Sequence, residues 1–546
     1  MRKIEPEIIT GMGYIGDNPG VLYRMGGAGE QTVVTGNPAL LEGVKGSRLT
    51  ALTLHGKSTQ GSTTGAQLLD INNLDRVSGC QNNANVVDGG LSKRNDDVAC
   101  PDRYLIDVIP NTIYTISASG FVGGATVQIS DMFQRGESKP VVDVRITKGH
   151  KEREWIEFNS NKYNQLTFSF FSPAVNTDFK VSYIMLNYGS QALPWEPYTG
   201  GAPSPSPSYP QEIESAGQSG EIGVTVTGTN LLPFEVGQKG DGFEAFADGV
   251  QVDVGRNVDI YAVGMNDSLI ESGYSEFPLL APGKYYIYSD IQGVNLYVVV
   301  WRKGANVTLG YSSGGVAKEI EVMAGDKFRI FLRTAAAFKG KVKAMITRIP
   351  VDATSYEPYK PAQKLIIPTP GGLPGIPVTS GGNYTDKDGQ QWVCDEIDLA
   401  KGERVQQTIK VVLDGSQKIT LQKHLDFNRF AIGENDFPIP SGYAGFCSHF
   451  IVNPSPVTMN TIDGAICVYS NGNIYLRSDR FKSADELKSF LKENPVTLEY
   501  CLAEPIRTPL PPETIAAYKS LKTYSPTTTV INDAGAGMIV GYKRRK

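Results

Sequence analysis

NQLTFSFFSP, residues 164–173, decides the fold class. Leu166, Phe168 and Phe170 alternate with Thr167 and Ser169, so one side of an extended segment is apolar and the other polar. That period of two is the mark of a half-buried β-strand. Working outward, DFKVSYIMLNYG (178–189), YLIDVIPNTIYTISASG (104–120), NLYVVVWRKG (295–304) and GKVKAMITRI (340–349) are further short apolar runs, punctuated by Gly, Asn, Asp and Pro. Many such runs with turn residues between them predict a mainly β chain of sandwich or jelly-roll modules.

The runs occur twice in the same order. One copy opens with AQLLDINN (66–73) and closes on Trp195-Glu196-Pro197-Tyr198; the other opens with GTNLLPFE (228–235) and closes on Tyr356-Glu357-Pro358-Tyr359. Each closing motif leads into a Pro-rich stretch, APSPSPSYPQEI or KLIIPTPGGLPGIP. Proline removes backbone donors, so both stretches are expected as extended surface connectors rather than strands. The expected domains are a Gly-rich attachment arm with a first strand (1–60), two jelly-roll modules with Pro-rich exits (61–212 and 213–380), and a C-terminal α+β domain (381–546). In the last, Asp388-Gly389 and Asn471-Gly472 predict hairpin turns. Ser483 with Glu486 predicts a capping box before a helix that Pro495 stops, and PPETIAAYKSLKTY (511–524) predicts a second helix.

Composition excludes several function classes. Among 546 residues the formal net charge is -5, so no broad positive field collects nucleic-acid phosphates. No run reaches the roughly 18 apolar residues of a membrane span, and Glu5, Pro6 and Glu7 fall where a secretory signal needs an apolar core. The six cysteines lie without zinc-ligand spacing and read as free thiols; neither a metal nor a cofactor is expected. Gly11–Gly16 has the dinucleotide-binding spacing, but a turn follows it where a helix is required. Gly310-Tyr311-Ser312-Ser313-Gly314 has nucleophile-elbow spacing, but an alternating strand follows it. Asp395, Glu396 and Asp398 are clustered carboxylates, the residue type that polysaccharide cleavage needs, and equally the type found on a solvated turn. No residue is assigned a catalytic role.

Aromatic residues carry the more natural chemistry, because sugar C–H faces stack on Tyr and Trp rings. The candidate glycan-binding set is Tyr285, Tyr286, Tyr288, Tyr297 and Trp301, with Tyr297 and Trp301 on one strand face by alternation. Trp195, Tyr198, Tyr356 and Tyr359 are expected to pin each exit segment to its module instead.

Read together, LTALTLHGKSTQGSTTG (49–65), PWEPYTGGAPSPSPSYPQEIESAG (194–217), NYTDKDGQQWVCDEIDLAKG (383–402) and TTTVINDAGAGM (527–538) resemble tail and virion structural proteins of phages and prophages of Gram-positive bacteria. The resemblance implies jelly-roll modules likened to carbohydrate-binding domains, placement at a tail tip, baseplate or fibre, and assembly in the host cytoplasm. It further implies homotrimers, other tail proteins as partners of the N-terminal arm, and host wall or surface polysaccharide as ligand. A purely architectural virion component and a depolymerase are the alternatives.

Overall fold

The computed structural model describes residues 22–24, 31–79, 84–95, 101–131, 141–149, 153–264, 271–277, 279–280, 282–302, 305–323, 325–348, 350, 356–423, 426–434, 436–453 and 456–546. Gly11–Gly16, Cys80, Cys100, His150 and His424 lie outside them. The chain is mainly β. It divides into two compact units, one of residues 1–59, 214–409 and 501–546, the other of residues 60–213 and 410–500.

The first repeat is a two-sheet sandwich. One sheet orders Arg153–Asn159, Ile113–Val122, Thr177–Tyr188, Gly90–Asn95 and Asn85–Val87; the facing sheet orders Asp143–Thr147, Thr126–Ser130, Gln165–Phe171, Asp102–Asp107 and Asp75–Ser78. Leu166, Phe168 and Phe170 point into the shared core with Tyr114, Ile116, Phe179 and Val181, but Thr167 and Ser169 are buried as well, so the strand is closed in on both faces rather than half-buried. The second repeat has a matching sheet, ordered Ala305–Ser312, Val294–Arg302, Lys327–Thr334 and Asp259–Val263. Its inward residues Leu296, Val298, Val300, Ile330 and Leu332 are buried.

Around the second repeat, the same unit contains a further sandwich, here called the hub. Strand Gly537–Lys543 lies between Gln31–Thr35 and Ala51–His55, and the sheet continues through Glu396–Asp398 to Glu403–Leu413. A second hub sheet orders Gln363–Pro368, Glu221–Thr227, Thr527–Asn532 and Ala39–Glu42. Val34, Leu41, Leu52, Leu54, Val224, Ile367, Val530 and Val540 form their common core.

Three sequence expectations change here. Residues 31–49 are not a free arm, because Val34, Leu40, Leu41 and Leu49 are buried core residues and Ala39–Glu42 is hydrogen-bonded to Thr527–Asn532. The second Pro-rich stretch is not wholly a connector. Gln363–Pro368 pairs with Glu221–Thr227 as an outermost strand, a place where proline is tolerated, and it buries Leu365 and Ile367. Residues 381–546 do not form one domain. Residues 381–409 and 501–546 belong with the hub, and 410–500 with the first repeat's unit.

Within 410–500, strands Ile419–Lys423, Asn428–Ile432, Ile474–Arg477, Ala465–Val468 and Ile451–Val452 form a sheet accompanied by helix Ala484–Glu493. The Glu486 N–H donates to Ser483 Oγ at 3.2 Å, and Lys482 N–H donates to Glu486 Oε2 at 2.7 Å. Gly415 sits at φ +80°, where an added Cβ would lie 2.5 Å from the Lys488 carbonyl oxygen; only glycine admits the helix that close. The second expected helix spans Pro512–Ser520 and buries Tyr518 in the hub.

Candidate functional site

Alternation in the second repeat leaves the outward side of its four-stranded sheet to be filled by different residues from the core. Register places Tyr261, Phe331, Tyr297 and Tyr311 side by side on four neighbouring strands. The Tyr297 ring stacks on Phe331 at 5.2 Å and 10° and on Tyr311 at 5.1 Å and 27°; Tyr261 approaches Phe331 at 5.2 Å and 44°. Cross-strand aromatic pairs of this kind stabilise a sheet as well as creating a surface. Phe331 is closed in, Tyr261 and Tyr297 are half-buried, and Tyr311, on the outermost strand of the sheet, is 56% exposed.

The neighbouring rows are polar. On one side Arg333 sits opposite Asp259 and forms a bidentate pair, Nε to Oδ1 and Nη2 to Oδ2, both 2.6 Å. The same guanidinium lies 5.7 Å from the Tyr297 ring centre and 5.2 Å from that of Phe331. On the other side Arg329 and Val299 form the next row, followed by Lys327 and Trp301. Backbone bonds between Ser275 and Phe328 bring Tyr274 to this side of the sheet, where its ring lies 5.7 Å from Trp301 and beneath the Arg329 guanidinium at 5.1 Å. The Tyr274 hydroxyl is buried and has no hydrogen-bond partner among the described residues. An orphaned buried hydroxyl costs about 1–3 kcal/mol. Burial also raises the phenol's pKa, against the pull of Arg329.

The sequence-predicted rings therefore separate. Tyr297 and Trp301 share this outward face. Tyr285 and Tyr288 do not reach it and are fully buried. Tyr285 points into the core, where its hydroxyl accepts a 2.6 Å bond from Arg348 Nη2 and burial pushes its pKa up to about 12. Tyr286 stands on another sheet and donates to Glu319 Oε2 at 3.2 Å. Neither Tyr285 nor Tyr288 offers a ring face to a ligand. Sequence reasoning missed Tyr311, Phe331, Tyr261 and Tyr274, because only strand register brings them together.

The first repeat does not reproduce the row. Its corresponding sheet carries Arg145, Gln128, Ser169 and Arg103 across four strands, then Ser130, Thr167 and Leu105.

The exit motifs hold through their glutamates. Glu196 accepts from the N–H groups of Thr64, Ala66 and Gln67 at 2.6, 2.5 and 3.2 Å and from the Thr64 hydroxyl. Burial pushes that carboxyl up, but these bonds win and hold it below its ordinary range. Trp195 fits against Gly89 and edge-on to Tyr183 at 5.2 Å, whereas Tyr198 is 40% exposed and is no pin. In the second copy Glu357 accepts from Thr229 at 3.0 Å, and Tyr356 and Tyr359 are half-buried beside it.

A second cluster lies in the hub. Cys394 Sγ is 3.8 Å from His55 Nδ1, Glu396 Oε1 is 3.4 Å from the same nitrogen, and Asn383 bonds Cys394 and Glu396. Nucleophilic catalysis needs a thiolate within reach of substrate. Cys394 is fully buried and its thiol is pushed up by that burial; His55 is brought down to about 4 for the same reason. The cluster is packing. Asp395 is not on a solvated turn: it is buried and accepts from Gln407 N–H and from the backbone and hydroxyl of Thr408. Among the described residues no group of three or more His, Cys, Asp or Glu is placed to hold a metal, and no helix is long and apolar enough to cross a membrane.

No family model matches the chain, and no curated protein matches it. Among solved structures it has a likeness to the N-terminal CBM22-1-CBM22-2 tandem domain from Paenibacillus barcinonensis Xyn10C, at 11% identity over 57% of this chain and 97% of that one, with a TM-score of 0.15. A score that low reflects no common spatial arrangement and carries no argument about function.

Proposed function

We propose that this chain is a non-enzymatic structural protein of a phage tail that binds a surface glycan through the outward sheet of its second repeat. The observation that carries the binding reading is the aromatic row ending at exposed Tyr311 with the Arg333–Asp259 pair beside it. It combines a ring for sugar C–H faces with a polar group that fixes hydroxyls. The tail assignment draws on the resemblance of the four quoted phrases. Three of them meet in the hub, where Ala51–His55 pairs with both Gly537–Lys543 and Glu396–Asp398. The proposal keeps an N-terminal attachment to other tail proteins, and a trimer is the proposed assembly.

A purely architectural role has one observation in its favour: Tyr297, Phe331 and Tyr311 spend ring faces on one another. Binding of labelled protein to Gram-positive cells and to their isolated wall polysaccharides decides between the two. Saturable binding that free polysaccharide competes away supports recognition. Its absence from folded protein supports architecture.

A further inference from the structure

We infer that the first repeat carries a saccharide site of its own, in which a sugar ring packs on Tyr183 beside Trp195, where a β-bulge that the second repeat does not share turns the tyrosine outward. The inference rests on the glycan-binding reading above and adds a separate place of contact to it.

Each repeat serves as a control for the other. In the first, Val181 lies opposite Leu91 and Met185 opposite Ser117; in the second, Val342 lies opposite Val250 and Met345 opposite Tyr288. Val181, Met185, Val342 and Met345 are all fully buried, so these stations correspond. Between them the second repeat has Lys343 and Ala344, and the first has Ser182, Tyr183 and Ile184. The additional residue is taken up as a bulge: the register passes from Ser117–Met185 to Ser119–Ser182, so Tyr183 and Ile184 together oppose Ala118.

The bulge places Tyr183 at φ +52°, a conformation that suits glycine and is uncommon for a bulky residue. Among the described residues, every other non-glycine position at positive φ is Asn or Asp. The backbone is fixed there, because the Tyr183 N–H donates to the Asp88 carbonyl at 3.0 Å and the Ile184 N–H to that of Gly89 at 2.9 Å. A side chain that stays 41% exposed gains little core packing in return for that strain, and outliers of this kind gather at binding sites.

The two rings are disposed to receive a ligand. Tyr183 and Trp195 meet edge-on at 67°, so their contact uses one ring face at most. The parallel stacking of Tyr297 with Phe331 and Tyr311 in the second repeat uses several. Asp88, whose carbonyl holds Tyr183, also takes a hydrogen bond from Lys180, and the side chains of Lys180 and Asp88 are 22% and 49% exposed. An apolar ring face with polar groups at its margin is the composition of a sugar subsite.

The test titrates isolated Gram-positive wall polysaccharide into the full chain and into its Tyr183→Asn, Tyr183→Phe and Tyr311→Ala variants. Asparagine suits a positive φ, so Tyr183→Asn removes the ring and relieves the backbone together. The expected result is a Kd raised by about fivefold or more, with a melting temperature unchanged or raised by up to about 4 °C. Tyr183→Phe keeps the ring and retains the affinity that Tyr183→Asn loses. Binding that is lost in Tyr311→Ala but untouched by Tyr183→Asn overturns this site and leaves the glycan reading standing. A lowered melting temperature in Tyr183→Asn makes the ring a structural prop and overturns the site as well. No binding by the unaltered chain overturns the glycan reading and this site together.

Discussion

The imidazole of His55 lies on the ring of Tyr384, centroids 4.5 Å apart and planes 13° from parallel. The pair is buried under Gly537, where an added Cβ would sit 2.5 Å from the Tyr384 ring. Burial brings His55 down to about 4 from an ordinary 6.5. Between those values the unfolded chain binds the proton and the folded one does not, so stability rises with pH through this window and is lost as pH falls. The effect amounts to about 3 kcal/mol at most. Unfolding of the hub followed at pH 4, 5, 6 and 7 should show it, and His55→Phe should flatten that slope. An unaltered slope in the variant would place the acid sensitivity elsewhere.

The two exit glutamates should behave oppositely. Glu196 is held below its ordinary pKa, so its contribution is present above that value and disappears as pH falls through the folded one. Glu357 is raised by burial, which outweighs Thr229, so its folded form favours the proton and its contribution is lost as pH rises from the ordinary carboxylate value through the raised folded one. Glu196→Gln should cost about 2–3 kcal/mol by weakening several charge-assisted bonds, and Glu357→Gln under about 1 kcal/mol. Denaturant midpoints of the two variants check the ranking.

Tyr285 and Tyr311 separate packing from recognition. Tyr285→Phe removes the acceptor from buried Arg348 and should destabilise the second repeat by about 1–3 kcal/mol with glycan affinity unchanged once folded. Tyr311→Ala should show the reverse pattern. Thermal melts and binding isotherms on the same preparations measure both.

Gly56, in the link between strands Ala51–His55 and Ser58–Gln60, and Gly389, at a turn, have different tolerances. A Cβ at Gly56 would stand 2.0 Å from the Pro374 carbonyl oxygen, a backbone atom that cannot swing away. Gly56→Ala should cost more than about 4 kcal/mol. Gly389 has φ +82° with open space around it, so Gly389→Ala pays only for backbone strain, about 1–2 kcal/mol. Soluble yield and melting temperature of the two variants distinguish them.

Periodicity made individual strands legible, since Leu166, Phe168 and Phe170 did turn inward together. It also placed Tyr297 and Trp301 on one side of their strand. What it could not supply was partnership between strands. Tyr297 meets Tyr311 and Phe331, 14 and 34 residues further on, only through register, which no local pattern encodes. Tyr288 misled because the end of its strand, Ile287 to Ser289, is buried on both sides, where alternation carries no information about exposure. Pro368 misled differently: a proline that closes an outermost strand looks in sequence like one that forbids it. The hub escaped notice because its strands come from remote parts of the chain.

Strand Gly537–Lys543 fills the gap between Gln31–Thr35 and Ala51–His55, which are made some five hundred residues earlier. A ribosome must therefore release nearly the whole polypeptide before the first hub strands find their partner. Both repeats, whose pairings are far more local, have time to fold during that wait. Until then Val34, Leu52 and Leu54 have no lasting cover. The nascent chain should be most vulnerable to chaperone capture and proteolysis through its earliest-made strands, and a truncation that removes only Gly537–Lys543 should leave the repeats folded and the hub prone to aggregation.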